Sequence, residues 1–151
     1  GVCFGLHENG NLKDEYEILE GLKYGKAVTY YDNGQLLSES NWKDDKEDGL
    51  SKEYHENGVL DIESNWKEGK LDGLIKEYNE NGDLEEDSNW KEGKLDKLIK
   101  YFPDGLIKEY NGNGELKAET YFKDGDIKLP SSKSNKLEKI TSRNQFSLMT
   151  L

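Results

Sequence analysis

The chain has 151 residues, enough for one domain, yet only 32% are hydrophobic while aromatics reach 11%. Globular domains usually run at roughly 45–50% apolar, so this mix excludes a thick two-layer core, the aromatics exclude a disordered polymer, and no stretch approaches the ~20 apolar residues of a membrane-spanning helix. The net charge of −11 divides into −14 over residues 1–128 and +3 over 129–151, which disfavours nucleic acid and anionic lipid and favours a basic protein as partner.

A 24-residue period organises the chain. Trp42, Trp66 and Trp90 are 24 residues apart, as are Tyr30, Tyr54 and Tyr78. Asn-Gly recurs at 9–10, 33–34, 57–58 and 81–82, followed two residues on by Leu12, Leu36, Leu60 and Leu84. The units in chain order are 1–24, 25–48, 49–72 and 73–96. Residues 97–104 (KLIKYFPD) interrupt the series as an insertion, or as a truncated half-unit in which Phe-Pro-Asp-Gly replaces the Asn-Gly turn. A fifth unit, 105–128, places Tyr110, Asn113-Gly114, Leu116 and Phe122 in the recurring roles. The basic tail, 129–151, leaves the register at Pro130, and Leu137, Ile140, Asn144 and Leu148 fall at helical spacing. It reads as a cap on the array, a disordered terminus or a segment that binds elsewhere. The need of repeat arrays for specialised ends favours the cap.

Within a unit, large apolar residues fall at alternate positions, as Leu74 and Tyr78 do before the turn at 79–82 and Leu84 and Trp90 after it. Period two with Gly-containing breaks predicts strands joined by hairpins. Asn-Gly provides the positive φ of tight hairpins, and Lys91-Glu92-Gly93-Lys94 is the second turn of its unit. The expected fold is all-β: an elongated antiparallel β-hairpin repeat array, a single twisted sheet of about ten strands running about 45 Å.

The stretch Trp66-Lys-Glu-Gly69-Lys70-Leu-Asp-Gly73, followed by Tyr78 and Asn81-Gly82, resembles the MORN repeat. It is closest to the variant class of bacterial MORN-like repeats often labelled YwqK-type antitoxins, and the likeness extends over residues 1–128. Asp45 stands where the second unit would have its turn Gly, and Lys97 stands for Gly at the interruption. The resemblance implies the hairpin array. The function it implies is a scaffold, with an antitoxin or immunity-type protein neutralising a basic toxin as the alternative, and lipid association as a third class that the acidic body opposes.

Stacked units place equivalent residues in ladders. The Trp ladder (Ile18, Trp42, Trp66, Trp90, Phe122) and the Tyr ladder (Leu6, Tyr30, Tyr54, Tyr78, Tyr110) are expected to share one face with the leucines. That face reads as core packing, or as an aromatic binding face made of Tyr30, Trp42, Tyr54, Trp66, Tyr78 and Trp90. The opposite face is expected to carry an acidic ridge, Glu15, Glu39, Glu63, Asp87 and Glu119, with Glu53, Glu77 and Glu109 as a shorter column beside it. It reads as a solvated face or as a docking ridge for a basic protein. His7 and His55 read as unremarkable turn residues, and Cys3, in a column with Ala27, Ser51 and Ile75, reads as packing. No residue cluster has the spacing of a catalytic, cofactor or metal site, so the expected function is non-enzymatic, with no cofactor. Val2, Phe4 and Leu6 are placed on the inner face, and the open edge of the strand that carries them is expected either to be continued by further repeats upstream or to make a partner or homodimer contact.

Overall fold

Alternation of apolar and polar residues with a turn every ten to twelve positions leaves the backbone one way to satisfy its amides, which is to pair each strand with the next. The computed structural model describes residues 1–123 and 126–128; the expected tail helix and cap, 129–151, lie outside the described residues. The strands are β1 (Val2–Leu6), β2 (Leu12–Leu19), β3 (Leu22–Tyr30), β4 (Leu36–Lys43), β5 (Lys46–Glu47), β6 (Gly49–Tyr54) and β7 (Leu60–Lys67). They continue as β8 (Lys70–Leu71), β9 (Gly73–Tyr78), β10 (Leu84–Lys91), β11 (Lys94–Tyr101), β12 (Leu106–Asn111), β13 (Leu116–Lys123) and β14 (Asp126–Lys128). All fourteen form one sheet in chain order, with the short β5 and β8 branching onto β4 and β7. Every recorded pairing is antiparallel. Twelve strands side by side span about 50 Å.

The two turn types exchange the roles expected of them. The tight two-residue hairpins are the acidic ones: Glu20-Gly21, Glu68-Gly69 and Glu92-Gly93 have both central residues at positive φ, as a type I′ turn requires. In the second unit Asp44 and Asp45 adopt that geometry with φ of 51° and 61°. The Asn-Gly turn is a wider loop in which only the glycine has positive φ. His7 N–H donates to the Asn11 carbonyl at 2.8 Å and Gly10 N–H to the His7 carbonyl at 2.9 Å, a three-residue loop closed by a glycine bulge.

Side chains at the loops tie each unit to the next. Nε2 of His7 and of His55 lies 2.9 and 2.8 Å from the carbonyls of Tyr30 and Tyr78, and the Tyr31 hydroxyl donates to the Tyr54 carbonyl at 2.7 Å. The position read as an ordinary turn residue is therefore a strap between units. The asparagines do the same: Asn9 and Asn57 donate to the carbonyls of Asp32 and Glu80, both at 23 residues' separation.

In each of two hairpins the returning strand is split by a jog. Between β8 and β9, Gly73 takes a φ of 115° and Asn65 Nδ2 reaches across to the Leu74 carbonyl at 2.9 Å; Gly49 and Asn41 repeat this one unit earlier. Lys97 removes the glycine from that position in the next hairpin, and β11 accordingly runs unbroken from Lys94 to Tyr101. The interruption adds this one strand to the array, and its Tyr101 makes the contact that Tyr54 makes in a full unit: Tyr54 Oη donates to Glu39 at 2.9 Å and Tyr101 Oη to Asp87 at 2.6 Å.

Adding one strand rather than two turns the following unit over. The register runs from Asp87 to Ile99, and Tyr101 to Ile107 to Thr120, so Phe122 shares the face of Asp87. The parallel row Glu77–Glu86–Lys100–Lys108–Glu119 puts Glu119 on the other side.

Candidate interaction surfaces

The first face is built on the tryptophans. Cross-strand register places Cys3, Tyr16, Ala27 and Ser40 in one row and continues with the pairs Ser51–Ser64 and Ile75–Ser88, then Leu98 and Tyr110. The buried residues of the described chain, Ala27, Ser51, Ser64, Ile75 and Ser88, all lie in this row. Over it lie the half-buried indoles. Each indole Nε1 donates to the serine two positions earlier: Trp42 to Ser40 at 2.8 Å, Trp66 to Ser64 and Trp90 to Ser88 at 2.9 Å. The small serines let the rings lie against the sheet and satisfy the only polar atom that the rings bring. A shallow groove of about 260 Å³ crosses this face, floored by Ile62, Ile75 and Leu98 between Trp66 and Trp90 and bordered by Glu53, Glu77 and Glu86.

The tyrosines are not on this face, which corrects the expected aromatic surface. Bulges beside the wide loops shift the register between Glu53 and Tyr54 and between Leu84 and Glu86. Tyr30, Tyr54 and Tyr78, each paired with its leucine (Leu36, Leu60, Leu84), therefore belong to the opposite side, where the Tyr54 hydroxyl meets Glu39. Of the six aromatic candidates only Trp42, Trp66 and Trp90 lie on this face; Tyr110, in the reversed last unit, joins them opposite Leu98. Val2, Phe4 and Leu6 are likewise on the tyrosine side and exposed, Phe4 at 69%. Cys3 is exposed rather than packed, because β1 pairs only with β2.

The acidic ridge is also corrected, because every second strand inserts a lysine. The row reads Glu39, Lys52, Glu63, Lys76, Asp87 in direct register. Lys26 Nζ lies 2.6 Å from Glu39, and Lys52 Nζ lies 3.5 Å from Glu63. The ion pair with Lys26, then the Tyr54 hydroxyl, holds the Glu39 carboxyl below the usual range. Tyr101, partly buried and donating to Asp87, has its hydroxyl pushed up to about 12. Glu15 sits between Phe4 and Val28, and Glu119 is on the tryptophan side, paired with Lys108 at 3.3 Å. What was expected as a column of like charge is a ladder of alternating sign over most of its length.

Among the described residues, three carboxylates without an ion pair lie instead on the tryptophan face. Glu53 and Glu77, expected beside the ridge, flank Ile62 on the tryptophan face, and Glu47 lies opposite Trp42. Partial burial, then the neighbouring Glu86, raises the Glu77 carboxyl above its ordinary value; partial burial, then Glu53, raises Glu47. Among the described residues none of the three is within ion-pair distance of a cation, whereas Glu86 is held by Lys100 at 2.9 Å. Among the described residues, too, no group of three or more His, Cys, Asp or Glu is placed to hold a metal ion.

Stacked hairpins in one open sheet, linked turn to turn, define a protein of the β-hairpin repeat class. The sequence profile described as MORN repeat variant matches residues 23–44, 47–68, 71–92 and 103–124, or 88 of the 151 residues, and the chain belongs to that family. The match agrees with the resemblance seen in the sequence, and such repeats are consistent with a protein-interaction or scaffold module. No curated protein matches the chain in sequence. Among solved structures, the crystal structure of a GtfA/B complex bound to UDP and GlcNAc is similar over 83% of this chain, at 9% identity and a TM-score of 0.39. The similar region is 28% of that protein's chain, and the likeness carries no argument about activity.

Proposed function

We propose that the chain is a non-enzymatic protein-interaction module that holds a basic partner against its tryptophan face. The observation that supports this is the uneven pairing of charge among the described residues: acids are matched by lysines over most of the tyrosine face, while Glu47, Glu53 and Glu77 stay unpaired beside half-buried indoles. An uncovered aromatic surface bordered by unmatched carboxylates offers both apolar contact and an attractive field to a cationic segment. A basic toxin neutralised by occlusion would be one partner of this kind.

The test is affinity capture with the full chain, the captured protein then being identified and the complex rebuilt from purified components. The doubly exchanged Trp66→Leu/Trp90→Leu chain is expected to lose at least about tenfold in affinity. Glu39→Gln/Glu63→Gln, on the other face, is expected to change it by less than about threefold. Full retention by the tryptophan variant, or loss confined to the glutamate variant, contradicts the proposal.

A further inference from the structure

The first unit already shows a cation on this face. Lys23, in register with Ile18, holds its Nζ 4.5 Å from the Tyr16 ring centroid and 4.7 Å from that of Trp42, a cation–π sandwich. One and two units beyond Glu47, the same repeat position is occupied by Leu71 and Leu95, paired with Trp66 and Trp90. Among the described residues no lysine or arginine ammonium or guanidinium lies over either of these indoles. The later units thus keep the aromatic wall and drop the cation that covers it.

We propose that the groove between Trp66 and Trp90 receives an arginine side chain from an extended segment of the partner, a site that rests on the interaction reading above. The dimensions fit one side chain. A volume of about 260 Å³ is below the roughly 300–1,000 Å³ of small-molecule sites. Its floor, Ile62, Ile75 and Leu98, suits the methylene stem, and the indoles suit a flat cation. Glu53 and Glu77 stand on either side of Ile62, two strand spacings apart, or about 10 Å. A guanidinium can stack on an indole and direct N–H donors at a carboxylate in the same plane, which an ammonium cannot do. Glu86 also borders this space and is held by Lys100 at 2.9 Å, which leaves Glu53 and Glu77, among the described residues, as the bordering carboxylates without an ion pair. Partial burial, then the neighbouring Glu86, holds the Glu77 carboxyl above its ordinary value, which Lys100 only partly opposes. Binding would lower it, releasing a proton and strengthening the complex as pH rises.

The experiment is calorimetric titration of the full chain with the peptide Ser-Leu-Arg-Leu-Ser and with its counterpart carrying citrulline, the uncharged isostere of arginine. The arginine peptide is expected to bind about tenfold more tightly. That preference is expected to vanish in Glu53→Gln/Glu77→Gln, a mild exchange whose folding is checked by thermal melting. Equal affinity for the two peptides, or a preference unchanged in the glutamine variant, overturns the site. The rebuilt complex separates the two proposals. If the partner binds the glutamine variant as tightly as the wild type, the groove is wrong and the interaction module stands. If the arginine preference holds but the chain captures no protein, the module is wrong and the groove stands.

Discussion

The two faces of this sheet use the same strands and hold together in different ways. On the tryptophan face stability comes from burial: Ala27, Ile75 and three serines are buried there, and among the described residues Glu47, Glu53 and Glu77 have no ion pair. On the tyrosine face it comes from position: Glu39, Lys52, Glu63, Lys76 and Asp87 alternate in sign across neighbouring strands, and tyrosine hydroxyls tie Glu39 and Asp87. Cross-strand pairs of this kind contribute roughly 0.2–1 kcal/mol each. A single layer cannot bury both sides: the buried residues all lie in the tryptophan row, while the charges of the other face alternate in sign. The face that buries most is also the one with chemistry to spare for a partner.

The sharpest way to break the comparison is to place the same charge on neighbouring residues. Ile75→Asp, in the tryptophan row, is expected to cost about 3 kcal/mol or more, because an unpaired carboxylate replaces a buried apolar side chain. Lys76→Asp, one residue on and on the other side between Glu63 and Asp87, is expected to cost only about 1 kcal/mol by like-charge contact. Urea unfolding of the two variants measures the difference, and equal losses would mean that the faces are not distinct. Smaller is the effect of Ser88→Ala, which deprives the Trp90 indole of its acceptor and is expected to cost about 1 kcal/mol. His55→Ala, which removes the strap to the Tyr78 carbonyl, is expected to cost a similar amount or less.

The smallest effect distinguishes the faces by sign. The lowered carboxyl of Glu39 contributes stability that is present above the ordinary carboxylate range and is lost as pH falls through its folded value. The raised carboxyl of Glu77 contributes stability that is present below that range and is lost as pH rises through its folded value. At about pH 7, Glu39→Gln should therefore lower the melting temperature and Glu77→Gln raise it, each by under about 1 kcal/mol for such accessible groups. As pH falls below the ordinary carboxylate range the two shifts should shrink, that of the raised Glu77 first and that of the lowered Glu39 only further down. Melting curves across this pH range decide it.

Much of this architecture was legible in the sequence, because a 24-residue period carries strand, turn and unit boundaries at once. The interruption was legible too, as an insertion or a half-unit, from Phe-Pro-Asp-Gly standing where Asn-Gly should be. Sidedness was not. Leu84 and Trp90 are an even number apart and should share a face, but the bulge between Leu84 and Glu86 moves Leu84 to join Tyr78. The acidic ridge misled for a related reason. Comparing unit with unit compares every second strand, whereas Lys52 and Lys76 come from the strands between. The reversal of the last unit follows from the interruption by counting strands, and it separates Phe122 from the tryptophans and Glu119 from the other acids. One signal of the groove was visible in the columns: Lys23, Glu47, Leu71 and Leu95 share a position, and the loss of lysine after the first unit marks where a cation is missing.

That only one face receives the partner is tested most directly by oxidative footprinting of the rebuilt complex, read residue by residue by mass spectrometry. Protection of Trp66 and Trp90 on binding, with Tyr54 and Tyr78 unchanged, is the predicted result. Protection of the tyrosines with the tryptophans still reactive would contradict it.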